Sequence, residues 1–336
     1  MRILAIESSC DDTSAAVIDD GRVVRSCVVT SQDAFHAKFE GVVPELASRR
    51  HLETIGPVVQ EALDRAGTSL NKIDAVAATN GPGLIGSLLV GLNFAKSLAF
   101  ARGLPFIAVN HIEGHLFAAR LSETAPTPPF VGLVVSGGHT DLYRVESDFR
   151  PQLMGRTRDD AAGECFDKVA KMLGLGFPGG VAIDKLSKDG NPTAVDLPRP
   201  MLHSGDDAFS FSGLKTAVKT HIDTHDRPEG TALNDLAASL SAAIVDVLTA
   251  KLFAAAEREG VTQVVVCGGV AANSMLRRRV TEEAARRGME LFIPEIAFCT
   301  DNAAMIGAAG QVLLERQGPS PLSVNAFASL VKGSAP

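Results

Sequence analysis

An apolar strand, a short polar turn and a second strand leading away occur twice in this chain, and the repetition constrains its fold more than any other feature. Residues 2–6 read as a buried strand, Ser8–Thr13 as a turn and Ser14–Ile18 as a second strand; the Asp19-Asp20-Gly21 turn then leads into a third strand around Arg22–Val29. The same order returns at Phe130–Val135, Ser136-Gly137-Gly138-His139-Thr140 and Asp141–Val145. Two such units predict a duplicated α/β protein, with a polar loop from each copy facing a shared cleft. At 336 residues the chain is long enough for two lobes. We place them at 1–128 and 129–318, the second with a helical insertion, and leave 319–336 as a tail. Pro126–Pro129 marks the break.

Between the repeats, Ala34–Leu63 and Pro82–Ala101 read as mainly helical, separated by an apolar strand at Ala75–Thr79. The Asn80-Gly81-Pro82-Gly83 turn punctuates the start of the second helix, and another strand follows at Phe106–Val109. Residues 159–175 read as a helix, Gly176–Gly180 as a sharp turn and Leu186–Ser212 as irregular loop. Ala232–Glu259 is expected to be a long amphipathic helix, Val261–Cys267 a buried strand, 275–288 a basic helix and Asn302–Arg316 the last helix. Beyond Gly318 the pattern weakens, so the tail is expected to fray. The repeat at 2–29 and 130–145 has the pattern of the actin-like ATPase fold.

A hydrophobic content of 46 %, 31 glycines and no tryptophan suit a compact α/β protein and exclude a fibrous or disordered chain. The formal charge of −7 supplies no global field for nucleic acid, so binding one would need local arginine clusters or a partner. Arg277-Arg278-Arg279 with Arg286-Arg287, Arg49-Arg50-His51 and Arg156–Arg158 offer such patches, though Glu282 and Glu283 dilute the first. Five cysteines, odd in number and without a C-x-x-C pair, argue against a disulfide framework and fit a reducing, cytoplasmic setting. The first residues read as neither a signal peptide nor a membrane span.

In His111-Ile112-Glu113-Gly114-His115, two imidazoles four apart on a helix face one way and can chelate one metal ion. Glu113 sits two residues from His111, on roughly the opposite side of the helix, which excludes the H-E-x-x-H protease reading. An acid must complete the set. We choose Asp301, in the polar turn Cys299-Thr300-Asp301-Asn302; its alternative role is an N-cap of the following helix. A His2Asp set suits iron or zinc.

Ser136-Gly137-Gly138-His139-Thr140 and Gly268-Gly269-Val270-Ala271-Ala272-Asn273 both follow apolar strands, where exposed N–H groups can bind phosphate. Neither matches a Rossmann or P-loop pattern. With Gly179-Gly180 they could enclose a nucleotide, and Asp167 and Asp184 could accept hydrogen bonds from its ribose. Asp11 and Asp12 are either a solvated turn or control a phosphate-bound electrophile. Cys10 reads as a small packed residue, since no neighbouring sequence feature lowers its pKa.

Taken together, Glu7-Ser8-Ser9-Cys10-Asp11-Asp12-Thr13, Asn110–His115, Val135–Thr140 and Gly268–Asn273 resemble the signature segments of the tRNA N6-adenosine threonylcarbamoyltransferase family, bacterial TsaD type. The resemblance runs in order to about Gly310. It implies a two-lobed actin-like ATPase (ASKHA, duplicated ribonuclease H-like) fold with a central interlobe cleft. It implies transfer of a threonylcarbamoyl group from threonylcarbamoyl-AMP to N6 of adenosine 37, in tRNAs that read codons beginning with A, forming t6A. His111, His115 and Asp301 are then the ligands of one divalent metal, iron or zinc with Fe2+ favoured. Val134, Val135, Ser136, Gly137, Gly138, Asp167, Gly180, Asp184 and Asn273 would contact the adenylate; Asp11, Asp12 and His139 are the catalytic candidates. Partners implied are tRNA, a smaller actin-like paralogue (TsaB type) and a P-loop ATPase (TsaE type), with no membrane. Family members commonly carry a glutamate where this chain has Asp12. A scaffold or RNA-binding subunit of an RNA-modification complex, and an actin-like ATPase or kinase, are the competing readings.

Overall fold

The computed structural model describes residues 1–39, 41–225 and 227–328. Its residues divide into two compact units, Met1–Ala125 with the described residues from Thr300 onward, and Pro126–Cys299.

The first unit opens with a meander of β1 (Arg2–Glu7), β2 (Thr13–Asp19) and β3 (Val23–Thr30). After the single-turn α1 (Asp33–His36) come α2 (Pro44–Arg65), β4 (Ala75–Gly81), α3 (Ile85–Arg102), β5 (Phe106–Asn110) and α4 (His111–Ala118). The strands form one sheet in the order β3-β2-β1-β4-β5. β1 pairs antiparallel with β2 and parallel with β4, and β4 pairs parallel with β5. The carboxyl ends of β1, β4 and β5 therefore lie side by side, where open α/β sheets gather ligands.

Alternation explains why β1 reads as an unbroken apolar run. Leu4, Ile6, Val17, Val76 and Ala78 enter a core with Ile55, Val59, Leu92 and Ala95 from α2 and α3. Ile3, Ala5, Ile18 and Ala77 are also fully buried, on the alternate positions of the same strands.

In the second unit β6 (Phe130–Val135), β7 (Thr140–Val145) and β8 (Pro151–Arg156) form another meander, followed by α5 (Ala162–Met172), α6 (Gly179–Ser187), α7 (Ser212–His225) and α8 (Gly230–Arg258). The unit closes with β9 (Gln263–Cys267), α9 (Ser274–Arg287) and β10 (Glu290–Phe292). Its sheet order is β10-β9-β6-β7-β8. β6 is antiparallel to β7 and parallel to β9, which is parallel to β10. Position for position this repeats the first sheet, so the duplication expected from the two sequence copies is present at the level of topology.

α10 (Ala303–Gln317) returns the chain to the first unit, packing on β1, β2 and β5. Gly307 permits the approach: a Cβ there would stand 2.6 Å from Ile18 Cγ1. The division thus differs from lobes bounded at 128/129 and 318/319, because a boundary drawn along the chain cannot register a helix that goes back to an earlier sheet.

Two further expectations change, for α8 and for the tail. α8 is not amphipathic but buried on nearly every side, with Leu236, Leu240, Ile244, Leu248 and also Ala237, Ser241 and Val245 inside the core. It is long and apolar enough to cross a membrane, yet here it is the central helix of a packed unit. The stretch from Leu186 to Ser212 is loop, as expected, apart from its ends in α6 and α7. The tail does not fray within the described residues: Ser320 N–H donates to Phe106 O at 2.8 Å, its hydroxyl accepts from Ala108 N–H at 3.0 Å, and Phe327 N–H reaches Asn80 O at 3.0 Å.

Candidate metal centre

Asn110 ends β5 and caps α4, its side-chain oxygen accepting from Ile112 N–H at 2.9 Å and from Glu113 N–H at 3.4 Å. The cap starts the helix at His111, and one turn later His115 faces the same way, the rings 4.7 Å apart between centroids. Both imidazoles are buried, at 5 % and 0 % exposure. Asp301 stands just before α10, whose N-cap is Asn302, accepting from Met305 N–H at 3.0 Å. Asp301 is therefore not the cap. Its Oδ1 lies 3.4 Å from His111 Nε2 and 3.2 Å from His115 Nε2.

The ligand atoms of these three side chains lie within 4.8 Å of one another, the one such group found among the described residues. Two observations fit a cation at their centre. Both ring nitrogens of His115 are buried without a hydrogen bond, and such groups are costly unless something satisfies them. Burial works against charge on His111, but Asp301 and then Glu7 outweigh it and hold its pKa well above the ordinary imidazole value. Burial likewise opposes ionisation of Asp301, yet His111 and His115 hold its carboxyl well below the usual carboxylate range. The pocket favours positive charge, and a divalent metal with neutral imidazoles supplies it.

Glu7 is a site residue that the sequence offered only as part of a motif. It ends β1 fully buried; Oε1 accepts from Ser9 N–H at 2.5 Å, and Oε2 accepts from Thr79 Oγ1 at 2.5 Å and lies 3.2 Å from His111 Nδ1. Ser9 Oγ is 3.1 Å from the same nitrogen. Glu113, by contrast, turns toward Arg316 of α10 at 4.0 Å, away from the metal ligands.

Asp11 and Asp12 occupy the β1–β2 turn in the same unit. The Asp12 carboxyl is pushed up to about 7, by burial first and then by the charge of Asp11. Its Oδ1 is buried without a partner. Burial also raises the Cys10 thiol far above its ordinary value, which leaves no thiolate nucleophile there.

The adenylate candidates lie in the second unit. Val134 and Val135 are fully buried strand residues, so only their backbone is available. Ser136 N–H donates to His139 O at 2.8 Å, and Ser136 Oγ accepts from His139 N–H at 3.2 Å, closing a tight turn. A Cβ on Gly137 or Gly138 would meet nothing within 4 Å, whereas one on Gly163, at the start of α5, would strike Ser136 O at 2.5 Å. Asp167 Oδ1 accepts from Gly179 N–H at 2.8 Å and Gly180 N–H at 3.2 Å, at the start of α6. Asp184 Oδ1 accepts from both the N–H and the hydroxyl of Ser274 at 2.8 Å. Asn273 caps α9 through Leu276 N–H at 2.9 Å. Asp167 on α5 and Asp184 on α6 thus hold the starts of α6 and α9, and Asn273 is the N-cap of α9.

Several arginines of the clusters pair with neighbouring groups of the protein while staying at the surface. Arg277 donates to Ala271 O and Pro294 O, at 2.8 and 2.5 Å. Arg279 pairs with Asp246 at 3.0 Å, and Arg286 and Arg287 pair with Glu283 at 2.5 and 2.6 Å. Arg158 pairs with Asp206 at 2.5 Å, and Arg50 stacks over Phe35 at 4.4 Å.

The family model for TsaD, tRNA N6-adenosine threonylcarbamoyltransferase, matches residues 23–308. The chain belongs to that family. The enzyme of that name from Geobacter sp. (strain M21) is 56 % identical over 314 residues, covering 94 % of this chain and 92 % of its own. That of Syntrophus aciditrophicus (strain SB) is 52 % identical over 327 residues, covering 97 % and 96 %. Among solved structures, the activator of the 2-hydroxyisocaproyl-CoA dehydratase from Clostridium difficile matches with a TM-score of 0.55 at 14 % identity, over 94 % of each chain. Component A of the Acidaminococcus fermentans (R)-2-hydroxyglutaryl-CoA dehydratase matches at 0.56 and 14 %, over 93 % of this chain and 96 % of its own. At such identities the likeness concerns the fold alone, which is the actin-like ATPase fold. Family and His-His-Asp set together make the chain a metal-site transferase that forms t6A.

Proposed function

We propose that the donor is threonylcarbamoyl-AMP and the acceptor N6 of adenosine 37, in tRNAs that read codons beginning with A. The convergence of His111 Nε2, His115 Nε2 and Asp301 Oδ1 carries the reading, since it offers one divalent-metal site at which an activated acyl group could be held. A metal bound there, which we take to be iron rather than zinc, would polarise an oxygen of the threonylcarbamoyl group. The donor is a mixed anhydride with AMP as a good leaving group, while the adenine amine is a poor nucleophile whose rate depends on placement.

In this reading N6 attacks the carbonyl carbon, the carbon–oxygen bond to AMP breaks, and N6 gives up one proton. We assign that proton to Asp12, with Asp11 as its charged neighbour and His139 as an alternative route. A carboxyl with a pKa near 7 is poised to accept and release it at neutral pH. In the turn after Val134, Val135 and Ser136, the N–H groups of Gly137 and Gly138 would bind the AMP phosphate. Gly180 and Asn273, with Asp167 and Asp184 beneath them, would line the nucleoside.

We assign partners to this surface as part of the same reading. Leu52, Ile55, Leu89, Phe94 and Leu98 line an apolar groove between α2 and α3, with Leu52 68 % exposed. We assign it to the smaller actin-like paralogue. With a formal charge of −7 and arginines paired to neighbouring acids, tRNA binding would depend on that paralogue and on a P-loop ATPase. Five free cysteines suit the cytoplasm.

The test is transfer of labelled threonylcarbamoyl from its AMP ester to tRNA, by this chain with its helper proteins. Absence of label in tRNA, under conditions where a bacterial homologue works, would sink the proposal. Metal analysis of protein purified without added metal decides between iron and zinc.

A further inference from the structure

His111 can bind a metal through Nε2 only if its proton sits on Nδ1, and the groups around Nδ1 decide whether it does. Three carboxyl ends of parallel strands supply those groups: Glu7 from β1, Thr79 from β4 and His111 itself after β5. Glu7 is fully buried and both of its oxygens are engaged. Ser9 N–H fixes Oε1 at 2.5 Å, and the Thr79 hydroxyl fixes Oε2 at 2.5 Å, leaving Oε2 facing His111 Nδ1 at 3.2 Å. The two partners of fixed direction, Ser9 N–H and the Thr79 hydroxyl, both donate, so the carboxylate meets Nδ1 as an acceptor. Ser9 Oγ, 3.1 Å from Nδ1, is a hydroxyl that can donate or accept and so selects neither tautomer by itself.

We infer that Glu7 is the positioning residue of the metal centre: its buried carboxylate holds the proton of His111 on Nδ1 and so turns Nε2 into a ligand. Carboxylate–histidine–metal relays of this kind fix ring orientation and raise ligand basicity. Glu7 also adds a second negative charge beside that of Asp301, so a divalent ion with two neutral imidazoles leaves the buried cluster balanced. The inference rests on the metal-site reading given above, but not on the identity of the acyl donor or of the tRNA.

Glu7→Gln separates tautomer control from packing, because it keeps shape and volume. With Oε1 still accepting from Ser9 N–H, its new NH2 group faces Nδ1 as a donor and favours the proton on Nε2, where a metal must bind. Zinc affinity, measured by chelator competition on the full chain, is expected to fall by about 10- to 100-fold, with an unchanged circular dichroism spectrum. Ser9→Ala is expected to stay within about threefold of the parent protein by the same reasoning. A second measurement needs no variant. In the zinc-loaded parent protein, 15N-resolved NMR of the imidazoles is expected to show His111 with a slowly exchanging Nδ1–H and metal on Nε2.

Parent-level zinc affinity in Glu7→Gln, equal losses from Glu7→Gln and Ser9→Ala, or zinc on Nδ1 of His111 would each overturn the inference. All three are read from metal binding, so they are distinct from a failure to transfer the acyl group to tRNA.

Discussion

Asp301 Oδ1 faces His115 Nε2 at 3.2 Å, and neither ring nitrogen of that histidine has a hydrogen bond. Removing the carboxylate leaves two imidazoles and no charge on the face they share. Asp301→Ala is expected to weaken metal binding by more than about 100-fold, beyond the usual loss from an outer-sphere partner. At a metal concentration 100 times Kd, the bound ion stabilises the parent protein by about 2.7 kcal/mol. That increment should vanish in the variant. Thermal unfolding with and without metal checks it, and a persisting metal-dependent shift would rule out Asp301 as a ligand.

Asp12 links stability to pH in the direction opposite to a salt-bridged carboxylate. Its pKa is raised to about 7 by burial and by Asp11, so the folded chain holds the proton more tightly than the unfolded chain. The stabilisation is complete below the ordinary carboxylate range near pH 4 and is lost as the pH rises through 7. Asp12→Asn should flatten that slope in the metal-free protein, and at pH 8 the variant should be more stable by on the order of 2 kcal/mol. Urea unfolding at pH 5 and pH 8 measures it. An unchanged slope would show that Asp12 ionises normally.

Asp184 holds the start of α9 through both donors of Ser274. Asp184→Ala leaves those donors without their acceptor, at a cost of about 1–3 kcal/mol. The urea midpoint should drop with little change in slope. Metal affinity should stay the same, since the ligands belong to the other unit. A residue that served only as a ribose contact would leave the midpoint where it was.

The segment after α10 covers the open edge of β5 through Ser320 and reaches Asn80 through Phe327. Lys96 adds a bond from its ammonium to Val324 O at 2.9 Å. A chain ending at Gly318 exposes that edge and the apolar surface beneath Val324 and Ala326. Its Tm should fall by several degrees, roughly 4 °C per kcal/mol or less at this size, and it should self-associate through the bare strand. Light scattering and calorimetry on the truncated protein test both.

The α2–α3 groove gives a test that leaves the metal centre alone. Leu89 is 43 % exposed and lines it with Phe94. Leu89→Asp puts a charge where a partner would bury an apolar surface, a change worth several kcal/mol at an interface centre. Binding of the smaller paralogue should be lost while zinc affinity is kept. Co-purification at parent yield would remove this face from the assembly.

Much of this architecture was legible in the sequence because strand alternation and glycine turns are local. Residues 2–29 and 130–145 announce the two meanders, and the structure repeats one topology in both units. β8 and β10 escaped notice, being a half-exposed edge strand and a three-residue strand with little apolar signal. α8 reads as two-faced in the sequence, whereas even Ser239 and Ser241 lie fully inside the core. The histidine pair was visible from its spacing, and Asp301 from its type and its place before a helix. Nothing local distinguished Glu7 from an ordinary acid at a strand end.

By itself the sequence determined the duplicated α/β pattern, the facing imidazoles at His111 and His115, and the exclusion of Glu113 as their companion. Those are short-range consequences of residue spacing on helices and strands. Tertiary structure alone decided that α10 returns to the first sheet with Asp301 at its start, and that Glu7, Thr79 and His111 meet at three strand ends. Such meetings depend on which distant surfaces can be buried together and which buried charges can be paired, and no window of sequence contains that choice.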